Sequence, residues 1–181
     1  MSAQSWSLGP RDGDLRIYTG VAGPAARMGH RLTIGFSSWQ ATVQWRADTP
    51  VAVRMTVPVD ALQVLSGEGG VTPLTGPEKA VARSNALKTL EVKKHPEIVF
   101  SAEEITKTAG GYRLAGSLRI HGTTRPRTVD LTVEDTGDVW AMAVDTSVSQ
   151  AEFGVKPYSL LMGTLRVADE VVVGFTGTRR K

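Results

Sequence analysis

Between Tyr112 and Val133 the chain alternates apolar and polar residues in two successive runs separated by one break. Tyr112, Leu114, Gly116, Leu118 and Ile120 interleave with Arg113, Ala115, Ser117, Arg119 and His121, the two-residue period of a strand with one buried face. The turn-rich stretch from Gly122 to Pro126 follows, and then Val129, Leu131 and Val133 alternate with Thr128, Asp130 and Thr132. The pattern predicts a hairpin. Pro126 has no N–H to donate, which predicts that it starts the second strand or occupies a bulge. Because a hairpin with one apolar face is not stable alone, the rest of the chain must supply a sheet that closes over that face.

The same period recurs through most of the sequence. Leu15 and Ile17 open it, followed by Leu32, Ile34 and Phe36, by Ala41, Val43 and Trp45, and by Val51, Val53, Met55 and Val57. These runs predict a four-stranded meander before residue 60. Ile98 and Phe100, then Trp140, Met142 and Val144, and finally Val171, Val173 and Phe175 continue the series. The resulting expectation is an all-β fold of about eight antiparallel strands, neighbours in sequence. A meander of that length removes its edges by closing, so an all-β, eight-stranded antiparallel up-and-down barrel is the favoured architecture. With no break in composition, residues 1–181 read as a single domain.

Asp60 to Lys94 departs from the strand period. Thr75-Gly76-Pro77-Glu78 combines a capping-box Thr and Glu with Pro at the first helical position, which predicts a helix from about Pro77 to Lys93. Ala80, Leu87 and Leu90 share one side of its 3.6-residue period, while Lys79, Arg83 and Lys88 point to water. The Gly-rich Ser66 to Thr75 stretch reads as a loop, and with the helix it would gate one end of the barrel. Gly20 to Met28, with Pro24, predicts a short helix that plugs an end.

Charge and composition exclude several classes. The net charge is +3 and charged residues make up 22%, far from a polyanion-binding or disordered chain. The Arg179-Arg180-Lys181 end reads as solvated charge, so no nucleic-acid partner is expected. There are no cysteines, which removes disulfides, thiolate metal sites and a cysteine nucleophile. No run approaches the roughly 20 apolar residues of a membrane span, and no stable membrane insertion is expected. The N-terminus lacks a signal-peptide pattern, which points to the cytoplasm. His30, His95 and His121 are scattered with no partner at i+2 or i+4, so they read as isolated surface residues and neither a metal site nor a cofactor is expected. Glu103 and Glu104, as strand neighbours, should face opposite ways, so at most one could serve a given site, and the pair reads as solvated charge. No nucleophile elbow, phosphate loop or dinucleotide fingerprint is present.

What remains is the inner face. Ile34, Phe36, Val43, Trp45, Val53, Met55, Ile98, Phe100, Leu114, Leu118, Ile120, Leu131 and Met142 would line one apolar lumen, either filled by its own side chains or wide enough for one small ligand.

Four blocks resemble the signatures of the YceI-like family: GHRLTIGFSSWQATVQW, LEVKKHPEIVFSAEEI, GYRLAGSLRIHGTTRPRTVDLTV and SQAEFGVKPY with the following Gly163. The resemblance implies a lipocalin-like barrel enclosing a long apolar tunnel for a polyisoprenoid, such as an isoprenoid quinone or polyprenyl lipid, or for a fatty-acid derivative. It implies a carrier or store without catalytic residues. Leu87 and Leu90 of the helix and Phe153 of the last block complete the expected lipid-binding set. Many relatives are periplasmic, and the Asp60 to Thr75 loop looks longer than the family norm. A homodimer stays open. Two rival readings are an enzyme acting on an isoprenoid or quinone through His30 or Glu152 at the tunnel mouth, and a filled barrel that works through its outer surface.

Overall fold

The computed structural model describes residues 3–181 and contains fourteen strands and one α-helix. In chain order the strands are β1 (Gln4–Leu8), β2 (Gly13–Tyr18), β3 (Val21–Ala22), β4 (His30–Phe36), β5 (Gln40–Arg46), β6 (Thr49–Pro58) and β7 (Leu62–Gly69). Helix α1 (Gly76–Thr89) follows, and then β8 (Glu97–Thr108), β9 (Gly111–Ile120), β10 (Thr123–Asp135), β11 (Val139–Ser149), β12 (Ser159–Leu160), β13 (Leu165–Val167) and β14 (Glu170–Arg180).

Eleven strands form one antiparallel sheet in the order β1-β5-β6-β8-β9-β10-β11-β14-β2-β4-β7, and β12-β13-β3 form a small second sheet. The expected eight-stranded, sequentially paired barrel is therefore corrected in count and in order. Only β5-β6 and β8 to β11 pair as a meander. β4 does not pair with β5, because the chain turns a corner at Ser37–Trp39 and leaves one side of the sheet for the other. It returns across the same gap through a 3₁₀ turn at Val59–Ala61. The two corners meet, with the Ser37 N–H donating to the Ala61 carbonyl at 3.0 Å. The sheet curls until β1 and β7 are its two ends, and no ladder joins them among the described residues.

Helix α1 covers the β7 edge. The Arg83 guanidinium donates to the Leu62 carbonyl through Nε at 2.7 Å and to the Asp60 carbonyl through Nη2 at 2.6 Å. It thus binds the β6–β7 corner instead of pointing to water as the sequence predicts. The capping box is present, with the Glu78 N–H donating to Thr75 Oγ1 at 3.3 Å and the Thr75 N–H to Glu78 Oε2 at 3.1 Å. The helix ends at Thr89, short of Lys93, and Ala80 faces solvent. Ser66 to Gly69 belong to β7 instead of to a loop, and Gly20–Met28 holds β3 and a single 3₁₀ turn instead of a helix.

Two local corrections have clear causes. Pro126 lies inside β10, paired with Ser117 of β9, but β10 pairs with β11 only from Thr132 to Asp135. Its first half has one unpaired side, where a missing N–H costs the ladder nothing. The space there is bridged by Arg125 Nε to the Glu152 carbonyl (3.0 Å) and Arg127 Nη1 to the Ser147 carbonyl (2.8 Å). Opposite Gly116 the β8–β9 register slips between Ala102 and Glu104, so the expected alternation of Glu103 and Glu104 is lost and both are exposed. Gly116 permits that approach, since a Cβ on it would stand 1.9 Å from the Ser101 carbonyl oxygen.

The core fills one part of the enclosed space. Leu8, Leu15, Phe36, Trp39, Val57 and Leu62 are buried together, with Trp39 edge-on to Phe175 at 5.4 Å between ring centroids. Beyond them Trp6 and Trp45 pack at 4.6 Å, and the Arg179 guanidinium lies 4.4 Å from the Trp6 ring centroid. A smaller cluster of Val148, Phe153 and Val155, with Leu118, Ile120 and Leu90 against it, forms a second centre.

Candidate functional site

Between these two clusters and beneath α1 the interior opens into a cavity of about 360 Å³. Its floor is built by the alternation of the strands, which presents Ile17, Leu32, Ile34, Phe36, Ile98, Ile120, Val148 and Val171 to one space. The roof comes from Leu74 before α1, from Val81, Ala82 and Ala86 on it, and from Leu90 just past its end. Phe153 and Val155 close one end, and Leu165 and Val167 of the small sheet form the facing wall.

The polar lining groups are Thr19, His30, Glu78, Asn85, Thr89, Gln150, Tyr158 and Arg166. Several have structural commitments. Glu78 is spent on the capping box, and Gln150 donates through Nε2 to the Ala168 carbonyl at 3.1 Å. His30 Nε2 is 2.7 Å from the Thr72 carbonyl, so that nitrogen carries the proton and donates it. Met28, Val81 and Leu160 line the cavity while at least half exposed, which marks the rim between α1 and the small sheet as its mouth.

Of the sixteen residues expected to touch a lipid, Ile34, Phe36, Leu90, Ile98, Ile120 and Phe153 line this cavity. Met55, Leu87 and Met142 instead pack against the first core cluster, and Leu118 against the second. Leu114 is buried elsewhere, Trp45 stacks with Trp6, and Val43, Val53, Phe100 and Leu131 are half-buried outside the cavity lining. The lining contributed by α1 before Leu87 and by Val155 lies in segments whose sequence carries no strand period, while Ile17, Leu32, Leu165, Val167 and Val171 lie in stretches that read as strands and were not among the expected residues. Glu152 is exposed and does not line the cavity.

A second grouping corrects the reading of the histidines as isolated. Glu91, His95 and His121 each offer a ligand atom, and these atoms all lie within 4.8 Å of one another. Glu91 follows the helix in a left-handed conformation (φ 49°), with the Val92 N–H on the Leu87 carbonyl and the Glu91 N–H on the Lys88 carbonyl. That is a Schellman ending with Glu where glycine is usual. His121 (φ 53°) and Gly122 (φ 72°) make the two-residue turn between β9 and β10, with His at a position that favours Asn or Gly. Each such side chain costs on the order of 1–3 kcal/mol in backbone strain. His121 Nε2 and Glu91 Oε2 meet at 2.5 Å, and Lys94 Nζ holds Glu91 Oε1 at 3.0 Å. Lys94 first, and His121 next, keep the Glu91 carboxyl below the usual carboxylate range. The His95 ring packs at 4.8 Å from that of His121, in space that a Cβ on Gly122 would invade at 2.7 Å. The one sequence signal for this cluster was Glu91 four residues before His95.

The YceI-like domain model matches residues 19–178. The chain belongs to the YceI-like family. In structure it is similar to Burkholderia cenocepacia BcnA, at a TM-score of 0.68 and 17% identity, over 92% of this chain and 96% of that one. It is also similar to the Campylobacter jejuni YCEI protein, at a TM-score of 0.62 and 10% identity, over 82% and 84% of the respective chains. At these identities the likeness is one of fold. No curated protein matches the chain in sequence. Among the described residues of this YceI-like chain, no helix is long and apolar enough to cross a membrane.

Proposed function

We propose that this YceI-like protein binds the hydrocarbon tail of one amphiphilic lipid, a polyisoprenoid before a fatty chain, without transforming it. The observation that carries this reading is the cavity itself. Its walls are apolar residues from the main sheet, the small sheet and α1, and its polar groups are few and partly committed to the fold. Such a site rewards burial, at roughly 0.8 kcal/mol for each CH₂ taken from water, and discriminates weakly along the tail. The head group would lie at the mouth, among His30, Asn85 and Arg166. Catalysis through His30 or Glu152 finds no support: one is tied to a backbone carbonyl and the other is away from the cavity.

Organic extraction and native mass spectrometry of the purified protein test the reading. A long-chain lipid should be recovered with the wild type and be lost from Ala82→Glu, which places a carboxylate in the cavity roof while keeping helix propensity. A folded Ala82→Glu protein that carries the same lipid in the same amount would count against an internal site.

A further inference from the structure

We propose that Glu91, His95 and His121 bind a divalent transition-metal ion of the zinc class, with one coordination position left open. The three residues come from two places distant in sequence: Glu91 and His95 lie in the connection between α1 and β8, and His121 lies in the β9–β10 turn. Two imidazoles and one carboxylate are the donor set that zinc accepts in three-ligand sites, and borderline ligands of this kind disfavour magnesium and calcium. Tetrahedral ligands held at about 2.0–2.1 Å stand about 3.3–3.4 Å apart. The three donor atoms lie within 4.8 Å of one another, near that spacing.

Three further observations favour an ion over a simple hydrogen bond. The His95 ring makes no side-chain hydrogen bond among the described residues, although it faces the His121 ring at 4.8 Å. A Glu91–His121 contact alone leaves that second imidazole without a purpose. Glu91 and His121 both stand in left-handed backbone where glycine or asparagine is less strained, and both bring a donor atom to the same point. Lys94 holds Oε1 of Glu91 and leaves Oε2 directed at the histidines, the kind of outer contact that orients a metal ligand. A cation there also faces the C-terminal end of α1, where positive charge is favoured. Bound metal would join the helix end to the β9–β10 turn. Leu90 and Ile120, which line the cavity, immediately precede Glu91 and His121.

The test is titration of the full chain, stripped with a chelator, with ZnCl₂ against a chromophoric competitor, repeated with CoCl₂ for its visible absorption. One equivalent should bind and raise the melting temperature. Loss of an outer-shell partner commonly costs 10–100-fold in metal affinity, so His95→Gln and His121→Asn, which remove ligands, should each lose about 100-fold or more. Asn tolerates the left-handed backbone at position 121. Glu91→Gly guards against misfolding: it relaxes the helix ending, so its metal-free melting temperature should not fall, while its zinc affinity should. No stoichiometric binding by the wild type, or variants that bind as tightly as the wild type, would overturn the proposal.

Discussion

Phe153→Ala separates the packing role of the second cluster from its role as a cavity wall. Phe153 is completely buried, packed with Val148 and Val155 and against Leu90, Leu118, Ile120, Val171 and Val173. Removing a buried phenyl ring costs about 3–5 kcal/mol, through lost transfer energy and the void left behind. Because Phe153 also borders the cavity, the new void joins space that is already open, and the surroundings have little reason to collapse. For a chain of 181 residues, at about 2–4 °C per kcal/mol, that corresponds to a fall of about 6–20 °C in melting temperature. The enlarged cavity should still accept a prenyl chain, and lipid at 100 times its Kd should restore about 2.7 kcal/mol. Urea unfolding followed by circular dichroism, with and without a short-chain prenyl alcohol, measures both quantities. A loss below about 1 kcal/mol would refute the packing argument. Stability unmoved by lipid, in wild type and variant alike, would refute the assignment of the cavity to a lipid.

Val81→Ser and Met28→Ser alter exposed rim residues, so each should change stability by no more than about 0.5 kcal/mol. Exchange of a fluorescent isoprenoid should nevertheless become faster in both, and unchanged exchange would place the mouth elsewhere. Asp135 accepts from Lys181 Nζ at 2.5 Å and from the Gly137 N–H at 3.0 Å, and these two contacts hold its carboxyl below the ordinary carboxylate range. A depressed carboxyl stabilises the fold above its unfolded pKa of about 3.9 and loses that contribution as pH falls through the lower folded value. The melting-temperature advantage of wild type over Asp135→Asn should therefore be small, present at pH 6, reduced by salt, and gone at the acid end. An advantage that persists at low pH would show that the pair acts through packing and not charge.

Strand periodicity determined a good deal here. A period of two tells each residue which face of its strand it occupies, and on that basis Ile34, Phe36, Ile98 and Ile120 were legible as inward-facing. The capping box at Thr75 and Glu78 was legible too, because all its atoms belong to four consecutive residues. Periodicity does not say which strand lies beside which. The corners at Ser37–Trp39 and Val59–Ala61, which send β4 and β7 to one side and β5 and β6 to the other, depend on contacts between segments distant in sequence. Nor could it say how far the interior is filled, since Met55, Met142 and Leu87 have the same pattern as residues that border open space. That outcome depends on how whole side chains interlock across the curled sheet. The Glu91, His95 and His121 cluster was settled at the same level. Two of its members stand in left-handed turns that local preference would give to glycine or asparagine, and they meet only because α1 closes over the sheet edge and brings its end to the β9–β10 turn.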